Sequence, residues 1–354
     1  MPRRPIRESV DARTGERRSP MTRHDSRRPT RDGVTGQTPR AGRKLWIACL
    51  AVLALGACRG SDPAPADGFD GPRAFRDLVD LVALGPRPAG SPGAARARRL
   101  IRERLRQAGW PVEEHRFRVT APHGRTLELV NLIARHSGSG RGARLLVVTH
   151  YDTKRLSGER FVGANDGASG VALLLELARQ LAAAPLWHTL ELVFFDGEEA
   201  VLGDITAEDG LYGSRALAER MLREGSLQTV RALLLVDMVA DRELGLTPDL
   251  GASPELRELV REAAHGLGLG ALLEGGAPLR LVDDHSPFVE RGVKRVYSFI
   301  DFQFGGPRAP GRLWHTPEDD LDAVSSSSLN SVGRLVVETV RRIDRRDAER
   351  AARR

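Results

Sequence analysis

The chain has 354 residues and a formal charge of +7, but that charge is unevenly placed. Residues 1–44 hold 12 Arg and 1 Lys against 5 acids, while the remainder carries 41 basic and 42 acidic residues. The globular part therefore lacks the basic footprint of a nucleic-acid binder, and it is long enough for one sizeable core.

After the basic leader, residues 45–57 (LWIACLAVLALGA) are continuously apolar and follow Arg43-Lys44. Thirteen residues are short for a bilayer span but suit the apolar region of a signal peptide. The run ends Leu55-Gly56-Ala57-Cys58, similar to a bacterial lipobox, with Cys58 as the lipidated first mature residue. An anchor helix with an incidental cysteine is the alternative. Residues 1–58 thus read as a basic leader and lipoprotein-type signal peptide, with translation starting at Met1 or Met21. The product would be a cell-envelope lipoprotein, periplasmic or on the outer surface, attached to the membrane through Cys58. The only other cysteine, Cys49, lies in the same leader, so any metal in the mature chain must be held by His and carboxylates.

Residues 59–69 read as a Pro/Gly/Ala tether. Phe75, Leu78, Val79 and Val82, then Leu100, Ile101 and Leu105, have helical spacing, and the second helix ends at Gly109. Strand-like runs follow at 111–119 and 127–134. Four strongly apolar runs come next: LLVVT (145–149), LELVFF (190–195), ALLLVDM (232–238) and VYSFI (296–300). Helical stretches at 168–183, 212–224 and 254–267 separate them. Buried strands alternating with helices predict an α/β domain wound around a mostly parallel sheet. No repeat or composition break divides residues 70–345, and residues 346–354 read as a charged tail.

Acids and histidines cluster where these runs end. His150-Tyr151-Asp152 follows the first, Asp166 lies in GANDGASG, and Glu198-Glu199 follow the second. Asp237 closes the third, Asp283-Asp284-His285 precede a short apolar helix, and Trp314-His315-Thr316 follow the last. In a parallel sheet the C-terminal strand ends share one edge, where such folds bind ligands. A ligand set of nitrogen and oxygen alone suits catalytic zinc. Taken singly, Asp166 or Asp237 could be a helix cap, and His150-Tyr151-Asp152 a hydrogen-bonded loop end.

Taken together, HYD, GANDGASG, FDGEEA, LLLVDM, DDHSPF and WHT resemble the zinc-dependent aminopeptidase and glutaminyl cyclase superfamily, metallopeptidase family 28, over roughly residues 70–345. The likeness is strongest to animal-type glutaminyl-peptide cyclotransferases and their bacterial relatives. It implies a three-layer α/β/α sandwich around a mixed, mostly parallel sheet. For the cyclases it implies one zinc ion on Asp166, Glu199 and His315, with Glu198 moving the proton and Asp237 and Asp284 supporting it. For the aminopeptidases it implies a second zinc on His150, Asp166 and Asp237, with Asp152 orienting His150. Trp314 would wall the pocket for the substrate side chain.

The resemblance thus implies an enzyme acting on peptide or protein N-termini: a cyclotransferase converting N-terminal Gln to pyroglutamate, or an aminopeptidase. A non-catalytic surface binding protein on the same fold is the reading from another class. FFDGEEA with its following insertion, DDHSPF and WHT favour the cyclase. Two positions depart from it: Gly203-Asp204-Ile205 stands where the cyclases carry a tryptophan, and Ser298 where they carry a histidine.

Overall fold

The four strongly apolar runs lie side by side and parallel within a six-stranded sheet. The structure is a computed structural model describing residues 68–353 apart from Arg141. The basic leader, Cys58 and most of the tether lie outside the described residues. The strands are β1 (Val112–Ala121), β2 (Arg125–His136), β3 (Arg144–His150), β4 (Thr189–Phe195), β5 (Val230–Asp237) and β6 (Val296–Ile300). Their order is β1-β2-β4-β3-β5-β6, with β1 and β2 antiparallel to each other and β2 antiparallel to β4. The sheet is therefore mixed and mostly parallel.

Helices cover both faces: α1 (Gly71–Ala83), α2 (Pro92–Gln107), α3 (Ser169–Leu181), α4 (Tyr212–Arg223), α5 (Pro254–Gly266), α6 (Ser286–Glu290) and α7 (Ser326–Ala352). Alternation along the strands divides the core. Leu145, Val147, Leu192, Phe194, Leu234 and Val236 pack with α1, α2, α3, α5 and α7. Leu146, Val148, Val193, Phe195, Leu233 and Leu235 pack with α4 and Phe288 of α6. Successive residues face opposite layers, so a strand buried on both sides must be apolar throughout. Each Val, Leu or Phe removed from water contributes about 1.5–3 kcal/mol.

Two boundaries differ from expectation. The tether ends before Phe69, which is buried against Gly333 of α7, where a Cβ would lie 2.2 Å from the ring. Asp70 then caps α1, accepting the Arg73 N–H at 2.8 Å. At the other end, the segment read as a charged tail continues α7 to Ala352. Tertiary partners hold it there: Asp347 lies 2.7 Å from Arg295 and 3.2 Å from His188.

The chain passes from β3 through α3 to β4 on one side, then back through α4 to β5 on the other. That reversal opens a crevice beyond the end of β3, at His150, and the ends of β4 and β5 flank it.

Candidate metal centre and active-site cavity

Three of the four parallel strands, β3, β4 and β5, deliver polar residues to the crevice at or just past the point where their pairing stops. His150 is the last residue of β3 and Asp237 the last of β5. Glu198 and Glu199 follow β4 after the turn at Asp196-Gly197. Asp166 lies in the loop before α3, where Gly167 has φ +88° and a Cβ would meet the Asp152 carbonyl at 2.3 Å. Only glycine fits that approach. His315 has φ 54°, and its ring stacks on Trp314 at 3.8 Å between centroids, with Phe161 edge-on at 6.1 Å.

Two triplets converge. His315 Nε2 lies 3.3 Å from both Asp166 Oδ2 and Glu199 Oε1. His150 Nε2 lies 3.2 Å from both Asp166 Oδ1 and Asp237 Oδ1. In each triplet one donor atom per residue falls within 4.8 Å of the others. Asp166 is shared, one oxygen facing each histidine. Glu199 Oε1 is buried and receives no hydrogen bond, as expected of an oxygen that answers to a cation. Donor chemistry, burial and convergence all fit a divalent metal such as zinc at Asp166, Glu199 and His315.

Electrostatics separate the acids. Burial would raise Asp166, but His150 and His315 outweigh it and hold the carboxyl well below the usual range. Glu198 is pushed well up, first by burial and then by Glu199, Asp283 and Asp284, against the pull of His150. Burial also raises Glu199, with Asp166 adding to it, while His315 and Lys154 oppose. Asp237 rises by burial, eased by His150. Burial disfavours charge on His315, yet Asp166 and Glu199 carry it up to about 10. Neighbouring acids likewise raise His150 well above its ordinary value, despite its burial.

Asp152 reaches beyond orientation of a histidine. Its Oδ1 is 3.6 Å from His150 Nδ1, longer than a hydrogen bond, while its two oxygens accept the backbone N–H groups of Glu198 and Glu199. Of the acid pair before α6, Asp283 lines the cavity and Asp284 is fully buried outside its lining. The expected support of Glu198, Asp284, acts on it electrostatically, and so does Asp283, which alone of the pair lines the cavity. Burial raises Asp283 well above its ordinary value and Asp284 to about 7.

The cavity is about 410 Å³. Glu198, Asp237 and Asp283 face apolar walls from Met238, Leu281, Ile300, Phe302 and Trp314. Asp204 and Ile205 form part of its lining, so the insertion that departs from the cyclase pattern does shape the pocket. Ser298 does not; its hydroxyl donates to Asp249 at 3.0 Å. Two residues had no distinguishing sequence signal. Lys154 Nζ bonds the Gly203 carbonyl and lies 3.4 Å from Glu199 Oε2. Asp319 accepts the N–H groups of Asn165 and Asp166.

Residues 131–340 match peptidase family M28. A glutaminyl-peptide cyclotransferase of Boiga irregularis is 31% identical over 70% of this chain and 74% of its own length. The crystal structure of an Acidobacteriales bacterium glutaminyl cyclase superposes with a TM-score of 0.73 at 37% identity, covering 81% of this chain and 98% of the other. The glutaminyl cyclase of Porphyromonas gingivalis gives 0.70 at 27% identity, covering 78% and 99%.

Proposed function

The chain belongs to peptidase family M28, and on that premise we propose that it is a zinc-dependent glutaminyl-peptide cyclotransferase, closing N-terminal Gln to pyroglutamate with release of ammonia. The observation that carries this reading is the likeness to the bacterial glutaminyl cyclase over nearly the whole of that protein, combined with a cavity lined by Glu198, a carboxyl that belongs to neither metal triplet and stands next to the ligand candidate Glu199.

One zinc ion is assigned to Asp166, Glu199 and His315. When bound there, zinc supplies polarisation of the substrate γ-carbonyl. The chain does the rest. Trp314 and Phe302, edge to face at 5.3 Å, wall a small side chain and exclude water. Folding the glutamine side chain back on its own α-amine makes the attack intramolecular. Glu198 takes the proton as the amine nitrogen bonds to Cδ, then delivers it to the amide nitrogen as the Cδ–N bond breaks. Its raised pKa suits both transfers, since one carboxyl must accept and donate near neutral pH. Glu199, Asp283 and Asp284 surround Glu198 with negative charge that adds to the effect of burial.

A second reading has a specific observation behind it. His150, Asp166 and Asp237 form a complete second triplet. With that triplet also occupied, Glu198 could instead deprotonate a water for hydrolysis of the first peptide bond. Incubating a Gln-initiated peptide and following ammonia against loss of the free α-amine tests the proposal. Equal release and loss supports ring closure; loss of neither contradicts it.

The leader supports export, with the mature chain held at a membrane through lipidated Cys58 and meeting peptide N-termini in the cell envelope. Lipid label incorporated by the full-length chain but not by Cys58→Ser is the expected result.

A further inference from the structure

Asp319 belongs to neither metal triplet, yet it joins the two loops that carry metal-ligand candidates. It lies four residues past His315, within the same run of turns. Its Oδ1 accepts the Asn165 N–H at 2.6 Å and its Oδ2 the Asp166 N–H at 3.0 Å. Its backbone carbonyl accepts the Ala164 N–H at 3.2 Å. Three bonds therefore fix the backbone of Asp166 to the segment that bears His315.

Arg87 clasps the same loop from the other side. It is fully buried, and its guanidinium hydrogen bonds go to backbone carbonyls: Val162 at 2.7 Å, Gly163 at 3.0 Å, Tyr151 at 3.1 Å and Gly85 at 3.4 Å. Its backbone N–H donates to Thr153 Oγ1 at 2.9 Å. A buried guanidinium that meets only carbonyls is costly to keep. Burial lowers its pKa to about 10, and Asp319, Asp152 and Asp166 act against that fall. These contacts tie the start of the connection from β3 to α3, next to His150, to its later part, which presents Asp166.

We propose that Arg87 and Asp319 are positioning residues for metal binding: together they preset the separation of Asp166 from Glu199 and His315, so that the ligand set is assembled before the ion arrives. The inference rests on those three residues forming the metal site. A carboxylate can receive two N–H groups, whereas the amide of Asn would turn an NH₂ towards one of them. The carboxylate of Asp166 would then shift.

The test is zinc titration of chelator-stripped full-length protein against a competing dye, for wild type, Asp319→Asn and Arg87→Lys. Asp344→Asn is the control, because Asp344 also accepts two backbone N–H groups, from Trp187 and His188, but at the start of β4. The expected result is a loss of zinc affinity of about 10–100-fold in Asp319→Asn and Arg87→Lys, the usual effect of removing a partner that orients a ligand. Asp344→Asn should lower the melting temperature and leave zinc affinity unchanged. Unchanged affinity in Asp319→Asn, or an equal loss in Asp344→Asn, overturns the brace alone. Should Asp319→Asn not fold, Arg87→Lys carries the same comparison with the same two outcomes. Wild-type protein that takes up no zinc overturns the metal site itself and the brace with it.

Discussion

Asp152 Oδ1 accepts the backbone N–H of Glu198 at 3.1 Å, and its Oδ2 takes that of Glu199 at 3.3 Å. One buried carboxylate thereby sets the turn on which both glutamates stand. Asp152→Asn replaces one acceptor oxygen by an N–H donor and should lower kcat by about 10–100-fold while the secondary structure stays intact. Steady-state kinetics with circular dichroism on the same sample checks this.

The adjacent glutamates are expected to fail differently. Glu199 lies 3.3 Å from His315 and 3.4 Å from Lys154, whereas Glu198 contacts neither and lines the cavity. Glu198→Gln should cost about 10²–10⁴ in kcat, the range for loss of a general acid–base group, with zinc content unchanged. Glu199→Gln should lose zinc first. Metal analysis beside kinetics separates the two, and an active Glu198→Gln would remove the proton carrier from the account.

Continuous apolar runs such as Leu145–Thr149 and Leu190–Phe195 were legible as buried strands because burial on both faces leaves no other composition. The polar residues at their ends were legible for the same reason: acids there are costly unless used. Asp283 and Asp284 could not be told apart, since the backbone turn decides which one faces the cavity. Asp319 carries no periodic signal; its role exists only once the loops at 160–167 and 313–319 meet. The end of α7 looked like a tail because a charged run reads as solvated, whereas the groups that dock Asp344 and Asp347, His188 and Arg295, come from distant parts of the chain.

That end of α7 should be sensitive to pH. His188 is buried between Asp344 at 2.9 Å and Asp347 at 3.2 Å, with Arg295 on Asp347 and the Trp187 ring edge-on at 4.7 Å. Burial disfavours the imidazolium, but both carboxylates outweigh it and raise its pKa. Unfolded histidine titrates near about 6.5, so the stability from this clamp is full below that value and is lost as pH rises through the higher folded value. Asp344 and Asp347 are lowered despite burial, chiefly by His188, so their contribution is present above about 3.9 and lost as pH falls through their folded values. His188→Gln should cost about 1–3 kcal/mol at pH 6 and less at higher pH. Melting temperature against pH for both proteins checks the convergence.

Phe69 should anchor the N-terminal end of the described residues to the core. Its ring rests on Gly333 within the main core. Phe69→Ala should destabilise by about 3–5 kcal/mol, and Gly333→Ala should also destabilise by crowding the ring. Denaturant midpoints for the two variants check this contact, with unchanged values contradicting it.

Ring closure and bond cleavage leave different products. The most direct measurement supplies the purified protein with a Gln-initiated peptide and a matched Leu-initiated peptide, and records ammonia and free amino acid from each. Ring closure gives ammonia from the Gln peptide alone and no free amino acid from either. Free leucine would contradict it.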